Sequence, residues 1–198
     1  MGGEADPDLE DDMEHETRET ATLAGGCFWC LEAVFERLRG VDRVVSGYTG
    51  GGARKPTYEE VCTGSTGHAE AIQVTFDPRV VTYRELLGVF FAYHDPTTVD
   101  RQGPDAGPQY RSAIFPADAG QERLAREVIE SLTREHVFSS PIVTRIERAA
   151  PFFAGEDHHQ GYFRRNSEQP YCRAMIAPKV AKLRAHHAGL LREEPAGR

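Results

Sequence analysis

The apolar residues of this chain recur with two different periods, which separate helices from strands. Residues 31–40 carry apolar side chains at positions 31, 34, 35 and 38, the spacing of one helix face, and Gly40 follows as a stop. Residues 70–76 alternate instead, so that positions 70, 72, 74 and 76 share one face of a strand. The same patterns predict strands over 17–24, 41–48, 109–115 and 142–147, and helices over 57–64, 82–94, 118–135 and 178–191.

Two of these helices begin with a capping box. Thr57 is followed three residues later by Glu60, and Thr82 is followed at the same distance by Glu85. In this motif the threonine and glutamate side chains each satisfy a backbone N–H of the first turn. The sequence therefore predicts helix starts at Thr57 and Thr82.

The net charge of −8 is concentrated at the N-terminus. Residues 1–20 contain nine acidic residues and a single basic one, Arg18, whereas the rest of the chain holds 22 acidic and 22 basic residues. An acidic run of this kind is typical of a solvated, disordered extension. We therefore predict a disordered acidic extension over 1–19, one catalytic domain over 20–192 and a short tail over 193–198. A neutral domain gives no support for nucleic-acid binding through a basic surface.

Composition predicts a soluble protein without a membrane segment. Of the 198 residues, 39% are hydrophobic and 27% are charged, and no apolar stretch reaches the ~18–20 residues of a membrane span. The first residues lack the basic start and apolar run of a secretory signal. Four cysteines, at positions 27, 30, 62 and 172, are too few for a secreted disulfide scaffold. We expect a cytoplasmic protein with thiol chemistry, in which Cys62 packs as a structural residue.

The stretch Gly25-Gly26-Cys27-Phe28-Trp29-Cys30 is the strongest candidate for chemistry. A predicted strand, a glycine turn and a predicted helix place Cys27 at a helix N-terminus, where free N–H groups and the positive dipole end favour a thiolate. A small buried cysteine that packs as a hydrophobe is the structural alternative. The flexible glycines and the adjacent aromatic pair, which includes the only tryptophan of the chain, favour a nucleophile instead.

Glu70 lies on the apolar face of its predicted strand. A carboxyl in this position must either find a partner or have its pKa raised by desolvation. A protonated carboxylic acid beside a nucleophilic thiol is suited to general acid catalysis. The spacing is equally compatible with a strand-end glutamate that turns to solvent.

Two further stretches carry candidate site residues. The polar, aperiodic loop 97–108 is unusually long for a compact domain. Asp105 and Tyr110 are candidates to line a pocket, although each alone is typical of a turn residue or a core tyrosine. The stretch 156–160 holds two adjacent histidines, which point in different directions on a helix. No second cluster has zinc spacing, so we predict no metal site.

The stretch Gly26-Cys-Phe-Trp-Cys30 resembles the active-site signature of the peptide methionine sulfoxide reductase A family. Further motifs that resemble that family follow in the same order: Pro56–Gly64, Thr66–Glu70, His94–Thr97, Arg101–Asp105, Gln109–Ser112 and Glu156–Gln160. The resemblance covers roughly residues 20–180. It implies an α+β fold, a two-layer sandwich with a mixed β-sheet and packed helices. A ferredoxin-like core, a long active-site loop and an irregular C-terminal segment are further implied features.

The resemblance implies an enzyme that reduces the S epimer of methionine sulfoxide, free or in proteins, and so repairs oxidised proteins. It implies that Cys27 is the nucleophile and that Glu70 supplies the proton. Five residues are implied to bind the substrate, two aromatic ones around its methyl group and three others around its oxygen or polar frame: Phe28, Trp29, Tyr58, Asp105 and Tyr110.

The implied reaction cycle passes through a sulfenic acid on Cys27, which a second thiol converts to a disulfide. A thioredoxin-type dithiol then reduces the disulfide by exchange, without a bound cofactor. Within the family the second thiol lies either in a C-terminal segment, as Cys172 does here, or three residues after the nucleophile, as Cys30 does. We favour Cys172, with Cys30 as relay or alternative. We expect a monomer that binds neither nucleic acid nor a membrane.

Two other functions stay open from the residues alone. Cys27-Phe-Trp-Cys30 also has the spacing of a redox dithiol, which predicts a thiol–disulfide oxidoreductase that reduces insulin by itself. That function leaves Glu70 and the loop 97–108 unexplained. A binding module that only holds methionine-like side chains would keep its function in the Cys27→Ser variant, whereas the reductase would lose its turnover.

Overall fold

A six-stranded sheet forms the centre of the fold. The computed structural model describes residues 18–52 and 54–193. Eight strands occur in these residues: β1 (Glu19–Gly25), β2 (Val41–Thr49), β3 (Ala69–Phe76), β4 (Arg101–Gln102), β5 (Asp105–Ala106), β6 (Ser112–Phe115), β7 (Arg145–Ile146) and β8 (Phe153–Ala154). The sheet has the order β7-β6-β1-β3-β2-β8, while β4 and β5 form a separate hairpin. Strands β6 and β7 run parallel and the other neighbours antiparallel, so the sheet is mixed, as predicted.

Six α-helices occur in the described residues: α1 (Phe28–Phe35), α2 (Tyr58–Cys62), α3 (Tyr83–Tyr93), α4 (Ala119–Arg134), α5 (Tyr162–Arg165) and α6 (Ala177–His186). A π-helical turn over Cys172–Ile176 leads directly into α6. Short 3₁₀ turns occur at Pro108–Tyr110, Asp157–His159 and Ala188–Leu190. The irregular C-terminal segment that was expected is therefore a series of short helical turns joined to one regular helix.

The elements β1, α1, β2, β3, α3 and β6 form a βαββαβ unit, with its strands in the order β6-β1-β3-β2. This unit is the ferredoxin-like arrangement. The predicted α+β fold, with helices packed on a mixed sheet, is confirmed. Strands β7 and β8 extend the two edges of the unit.

Strand β3 is buried on one face along its whole length and on both faces over residues 69–72. Ile72, Val74 and Phe76 belong to the main apolar cluster, which also contains the inner faces of α1 and α3. The alternate residues Ala69 and Ala71 belong to a second, smaller cluster. Because side chains alternate along a strand, Glu70 lies on the same face as Ile72. It is at the end of β3 that is close to the start of α1.

Both predicted capping boxes are present. The Thr57 hydroxyl accepts the Glu60 N–H at 3.3 Å, and the Glu60 carboxylate accepts the Thr57 N–H at 2.8 Å. Thr82 and Glu85 exchange the same pair of bonds at 3.2 and 2.7 Å. Helices α2 and α3 therefore begin where the sequence predicts.

Four predicted elements are shorter than their patterns. The helix expected to run to Gly40 ends at Phe35. The strand expected over 142–147 is reduced to β7, because the Val143 N–H bonds to the Pro96 carbonyl instead of a sheet neighbour. The strand expected over 109–115 begins only at Ser112, since residues 108–110 form a 3₁₀ turn. The last helix ends at His186 rather than at 191. The loop 97–108 is not wholly irregular, because it contains the β4–β5 hairpin.

The disordered extension was predicted over 1–19 and the tail over 193–198. Residues 1–17 and 194–198 lie outside the described residues, while Glu19 already belongs to β1. Within the ranges 18–52 and 54–193, no helix is long and apolar enough to cross a membrane.

Candidate active site

Cys27 stands at the junction of β1 and α1, as predicted. It is the residue immediately before the first helical residue, Phe28. The preceding Gly26 has φ +92°, a left-handed value that side chains rarely adopt, and a Cβ there would collide with the side chain of Gln102. The turn that brings the chain from the sheet into the helix thus requires glycine at position 26.

Burial, rather than the helix dipole, dominates the protonation of Cys27. The residue is only 7% exposed. Burial raises the pKa of its thiol well above the ordinary value, and a hydrogen bond to Cys30 and the charge of Glu70 raise it further. Burial thus shifts the pKa of Cys27 in the direction opposite to the one expected for a thiol at a helix start. In addition, the first helical N–H, that of Phe28, is bonded to the Glu70 carboxyl at 3.1 Å and is not free to stabilise a thiolate.

Glu70 is buried beside the nucleophile, and the alternative of a solvent-facing strand end is excluded. Glu70 is only 2% exposed. Burial raises the pKa of Glu70 to about 8, against the effect of the bond from Phe28 and with a further contribution from Asp105. The carboxyl is therefore largely protonated at neutral pH.

Cys30 is the more readily ionised thiol of the pair. The hydrogen bond from Cys27 lowers the pKa of Cys30 to about 7, burial opposes this, and the positive charge of Lys179 supports it. The Tyr171 hydroxyl oxygen lies 4.0 Å from the Cys30 sulfur. A charge on Cys30 is thus stabilised by its surroundings, whereas a charge on Cys27 is not.

Three of the four cysteines share one apolar cluster. Cys27, Cys30 and Cys172 are all buried free thiols that pack with Ile176. Burial raises the pKa of Cys172, and the charge of Cys30 adds to the effect. Cys62 is exposed instead, so the prediction that it packs as a structural residue is wrong. It lies at the end of the short helix α2, where Val61 is the buried residue.

The two aromatic residues after Cys27 differ in their exposure. Phe28 is 1% exposed, with its ring centroid 5.8 Å from that of Tyr48 and 5.2 Å from that of His159. Trp29 is half-buried, and its indole stacks on Tyr162 at 3.7 Å with an interplanar angle of 7°. The indole N–H donates to the Nδ1 of His159 at 3.2 Å. The indole is therefore held from two sides by the segment that follows β8.

The two predicted tyrosines are near Glu70. Burial raises the pKa of both Tyr58 and Tyr110, and the charge of Glu70 contributes to each shift. A hydrogen bond with Cys62 adds to the shift of Tyr58, and both hydroxyls keep their protons at neutral pH. Asp105 accepts a hydrogen bond from the Tyr171 hydroxyl at 2.7 Å. This bond ties the β4–β5 hairpin to the C-terminal segment at the edge of the site.

Sequence reasoning missed four residues that organise the site: Tyr48, Glu156, His159 and Tyr171. The Glu156 carboxylate accepts the Tyr48 hydroxyl at 2.8 Å and the Tyr58 N–H at 3.0 Å. The adjacent histidines of the stretch 156–160 had suggested metal ligands rather than a structural role. No group of three possible metal ligands exists among the described residues. This stretch instead supports α2 and Trp29.

A cavity of about 380 Å³ opens from the two thiols. Its lining includes Cys27, Cys30, Asp105, Tyr171 and Lys179. The predicted aromatic residues and Glu70 are not part of this lining. Glu70 lies instead at the start of α1, where its carboxyl accepts the N–H of Phe28, the residue after Cys27, at 3.1 Å.

Comparison with known proteins identifies the family. A family model described as peptide methionine sulfoxide reductase matches residues 19–190. The peptide methionine sulfoxide reductase MsrA of Deinococcus radiodurans is 58% identical over 88% of this chain and 85% of its own length. The solved structure of methionine sulfoxide reductase A of Corynebacterium diphtheriae has a TM-score of 0.71 at 36% identity, covering 76% of each chain.

Mxr1 from Saccharomyces cerevisiae is a further structural neighbour. Its reduced form has a TM-score of 0.71 at 31% identity and covers 85% of this chain and 92% of its own. The same protein, solved in complex with Trx2, has a TM-score of 0.51 at 25% identity, with 81% and 89% covered. The family model spans residues 19–190, which include the whole sheet and Cys27, and the curated relatives match over most of the chain. The chain therefore belongs to the peptide methionine sulfoxide reductase family and is an oxidoreductase.

Proposed function

We propose that this enzyme reduces the S epimer of methionine sulfoxide, free or in proteins, with Cys27 as nucleophile and Glu70 as proton donor. The observation that carries the proposal is the buried carboxyl of Glu70. It has a pKa raised to about 8 and accepts the N–H of the residue after Cys27. A sulfoxide sulfur becomes a good electrophile when its oxygen is protonated, and a desolvated acid beside the attacking sulfur supplies that proton.

In the first step the proton of Glu70 passes to the sulfoxide oxygen while the Cys27 sulfur attacks the sulfoxide sulfur. The new bond between the two sulfurs and the S–O bond of the substrate then break, as the hydroxyl passes to Cys27 to give a sulfenic acid and methionine leaves. The thiol proton of Cys27 returns to Glu70, so no net proton is consumed. Because burial keeps both groups protonated before substrate binds, the site needs no preformed thiolate.

The remaining predicted residues would hold the substrate during this step. The protonated hydroxyls of Tyr58 and Tyr110 would donate to the sulfoxide oxygen, and Asp105 would hold its polar frame. The indole of Trp29 would contact the substrate methyl group. Phe28 would support that wall from the core, since it is almost fully buried. Such an apolar wall excludes water from the acid and favours the methyl group over a charged one.

We propose that Cys30 resolves the sulfenic acid first and that Cys172 then receives the disulfide. The Cys30 thiolate attacks the Cys27 sulfur, expels hydroxide, which leaves as water after protonation, and forms a 27–30 disulfide. Cys172 attacks the Cys30 sulfur, forms a 30–172 disulfide and frees Cys27 as a thiol. The hydrogen bond between Cys27 and Cys30 and the shared cluster with Cys172 support this order.

A thioredoxin-type dithiol would complete the cycle by disulfide exchange, leaving its own cysteines oxidised. The complex of the neighbour Mxr1 with Trx2 supports this partner. The cycle uses no bound cofactor, and residues 20–192 would act as one catalytic domain. Because thioredoxin-type dithiols work in reducing compartments, we also propose a cytoplasmic location. We propose in addition that the enzyme is a monomer and that it repairs oxidised proteins.

The test is turnover of the separated S and R epimers of a methionine sulfoxide substrate, with dithiothreitol as reductant. We expect turnover of the S epimer only, and none by the Cys27→Ser variant. Insulin reduction by the protein alone serves as the control for a plain thiol–disulfide oxidoreductase. Equal turnover of both epimers, or activity that survives Cys27→Ser, would overturn the proposal.

A further inference from the structure

Glu32 is a buried carboxyl that has no part in the proposed mechanism. It lies on α1, three residues after Trp29, and is only 3% exposed. Burial raises the pKa of this carboxyl, and the hydrogen bonds that it accepts from two backbone N–H groups oppose the shift. A buried carboxyl destabilises the fold unless partners are arranged around it. The groups that Glu32 binds therefore indicate its role.

The partners of Glu32 are the N–H groups at the start of α5. Its two carboxyl oxygens accept the Gly161 N–H at 2.8 Å and the Tyr162 N–H at 3.1 Å. Gly161 has φ +60°, a left-handed value that favours glycine, and Tyr162 is the first residue of α5. Because α5 has only four residues, it has little helical stability of its own. The contact with Glu32 therefore determines where the Tyr162 ring lies.

The Tyr162 ring in turn supports the indole of Trp29. The two rings stack with their centroids 3.7 Å apart and an interplanar angle of 7°. Residues three apart on a helix lie on the same face, so Trp29 and Glu32 are neighbours on α1, and the carboxyl brings Tyr162 to the indole. The indole N–H donates to His159, which belongs to the same segment, 156–162. Glu32, Tyr162 and Trp29 thus form one continuous series of contacts.

Building on the proposed function, in which the indole contacts the substrate methyl group, we propose that Glu32 is a positioning residue that acts on Trp29 through Tyr162. The stacked tyrosine restricts the orientation of the indole, so the substrate meets a wall that is already in place. Gln160 independently holds the same segment to β2, since its side chain bonds to the N–H and the carbonyl of Ser46 at 3.0 and 2.9 Å. Loss of the Glu32 contact should therefore loosen Tyr162 without releasing the segment.

The first test uses the fluorescence of Trp29, which is the only tryptophan of the chain. In Glu32→Gln the side-chain NH₂ group, a donor, replaces an oxygen that accepts a backbone N–H, so one of the two bonds is lost. We expect the emission to shift to longer wavelength and its quenching by acrylamide to increase several-fold, since Tyr162 no longer covers the ring. Glu85→Gln is the matched control. It changes a carboxylate that accepts the Thr82 N–H at the start of α3, and it should leave emission and turnover unchanged.

The second test is steady-state kinetics with the S epimer of methionine sulfoxide. We expect Glu32→Gln to raise KM about tenfold, which is the effect of losing one methyl contact in an apolar pocket. The value of kcat should stay nearly unchanged, because Glu32 does not take part in the chemical step. Tyr162→Ala should raise KM by a similar factor. The double variant should show little further increase, since the two residues act in series on the same indole.

Three results would overturn the proposal: unchanged emission in Glu32→Gln, a shifted emission with a normal KM, or KM effects of the two substitutions that multiply in full. Hydrogen exchange in the natural protein tests the contact even if Glu32→Gln does not fold. The Gly161 and Tyr162 amides should be protected, and rapid exchange of both would contradict the proposal. A natural enzyme that does not reduce the S epimer would overturn the proposed function instead. The emission and exchange measurements would still decide whether Glu32 positions the indole.

Discussion

Two protons decide the chemistry at the scale of single residues. One is the proton of the Glu70 carboxyl, and the other is the proton of the Cys27 thiol, which is hydrogen-bonded to Cys30. Burial disfavours a charge on either Glu70 or Cys27, so both remain neutral in the resting site. The site therefore stores an acid and a nucleophile in their uncharged forms, and the substrate oxygen is the group that allows the proton to move.

The pH dependence of the first step should follow the protonation of the Glu70 carboxyl. Because the protonated carboxyl is the active form, single-turnover reduction should be fast below a pH of about 8 and should slow as the pH rises through that value. Glu70→Gln keeps an acceptor for the Phe28 N–H but has no proton to give. We expect it to lower the single-turnover rate by about 10²–10⁴-fold and to remove the fall at high pH.

The measurement is the methionine released from one equivalent of sulfoxide, across pH 6–10. Glu127→Gln, at an exposed position on α4 where Glu127 pairs with Arg84, is the matched control and should behave like the natural enzyme. A rate in the natural enzyme that stays constant from pH 7 to 9, or near-normal turnover in Glu70→Gln, would rule out Glu70 as the proton donor.

The order of the thiols can be tested with single cysteine variants. After one equivalent of substrate, Cys172→Ser should hold a disulfide between Cys27 and Cys30, because the first transfer does not need position 172. Cys30→Ser should instead leave a sulfenic acid on Cys27 that dimedone traps. Mass spectrometry of the unreduced peptides distinguishes these products, and Cys62→Ser, at the exposed cysteine, is the control. A trapped sulfenic acid in Cys172→Ser would show that Cys172 resolves Cys27 directly.

At the scale of elements, the site is assembled from one helix start and several segments that fold over it. Helix α1 supplies Cys27, and the segment after β8 supplies the groups that hold Trp29. Two side chains fix the first turn of the short helix α2. Thr57 caps it, and the Glu156 carboxylate accepts the Tyr58 N–H. A helix of five residues has little stability of its own, so these contacts determine where Tyr58 lies.

The two capping boxes offer a matched pair of substitutions. Thr57→Ala and Thr82→Ala each remove one cap, which costs about 1 kcal/mol and should lower Tm by roughly 2–4 °C. Only Thr57→Ala should also raise KM for sulfoxide, because α2 carries Tyr58 whereas α3 carries no proposed site residue. Calorimetry and steady-state kinetics on both variants make the comparison. A normal KM in Thr57→Ala would mean that its helix start does not position Tyr58 for the substrate.

At the scale of the whole molecule, ion pairs attach the beginning of the described chain to the sheet. The Asp77 carboxylate, just after β3, binds Arg79 at 2.7 Å and Arg18 at 3.1 Å. The hydrogen bonds from Arg79 lower the pKa of Asp77 to about 2, and the charge of Arg18 contributes. Arg18 is therefore attached to the sheet through two carboxylates, those of Asp42 and Asp77.

The Asp77 cluster predicts a specific acid response. A carboxyl whose pKa is lower in the folded state adds stability above its unfolded pKa of about 3.9 and loses it as the pH falls towards 2. Asp77→Asn should therefore lower Tm at pH 6, and the difference from the natural protein should shrink between pH 4 and 2. Thermal melts across that range test the prediction. A difference that stays constant to pH 2 would show that the charge of Asp77 is not the cause.

Much of the site was predictable because its signals are local. The two glycines and the helical spacing after them place Cys27 at a helix start, and period-two alternation places Glu70 on the buried face. Both hold in the structure. The expected thiolate did not account for burial, which raises the pKa of the Cys27 thiol and depends on the packed fold rather than on the helix start. The importance of Tyr171 was missed because nothing near it in the sequence points to Cys30.

The sequence by itself determined the elements, their caps and the chemical types at the nucleophile and the acid, because these depend on neighbours within a few residues and on the periods of helix and strand. The tertiary structure alone decided which groups hold protons, which thiols meet and what fixes the indole. Those properties depend on desolvation and on contacts between residues more than 100 positions apart, such as Trp29 with His159 and Cys30 with Tyr171. No local pattern encodes such contacts, since they exist only once the sheet and its covering segments have packed together.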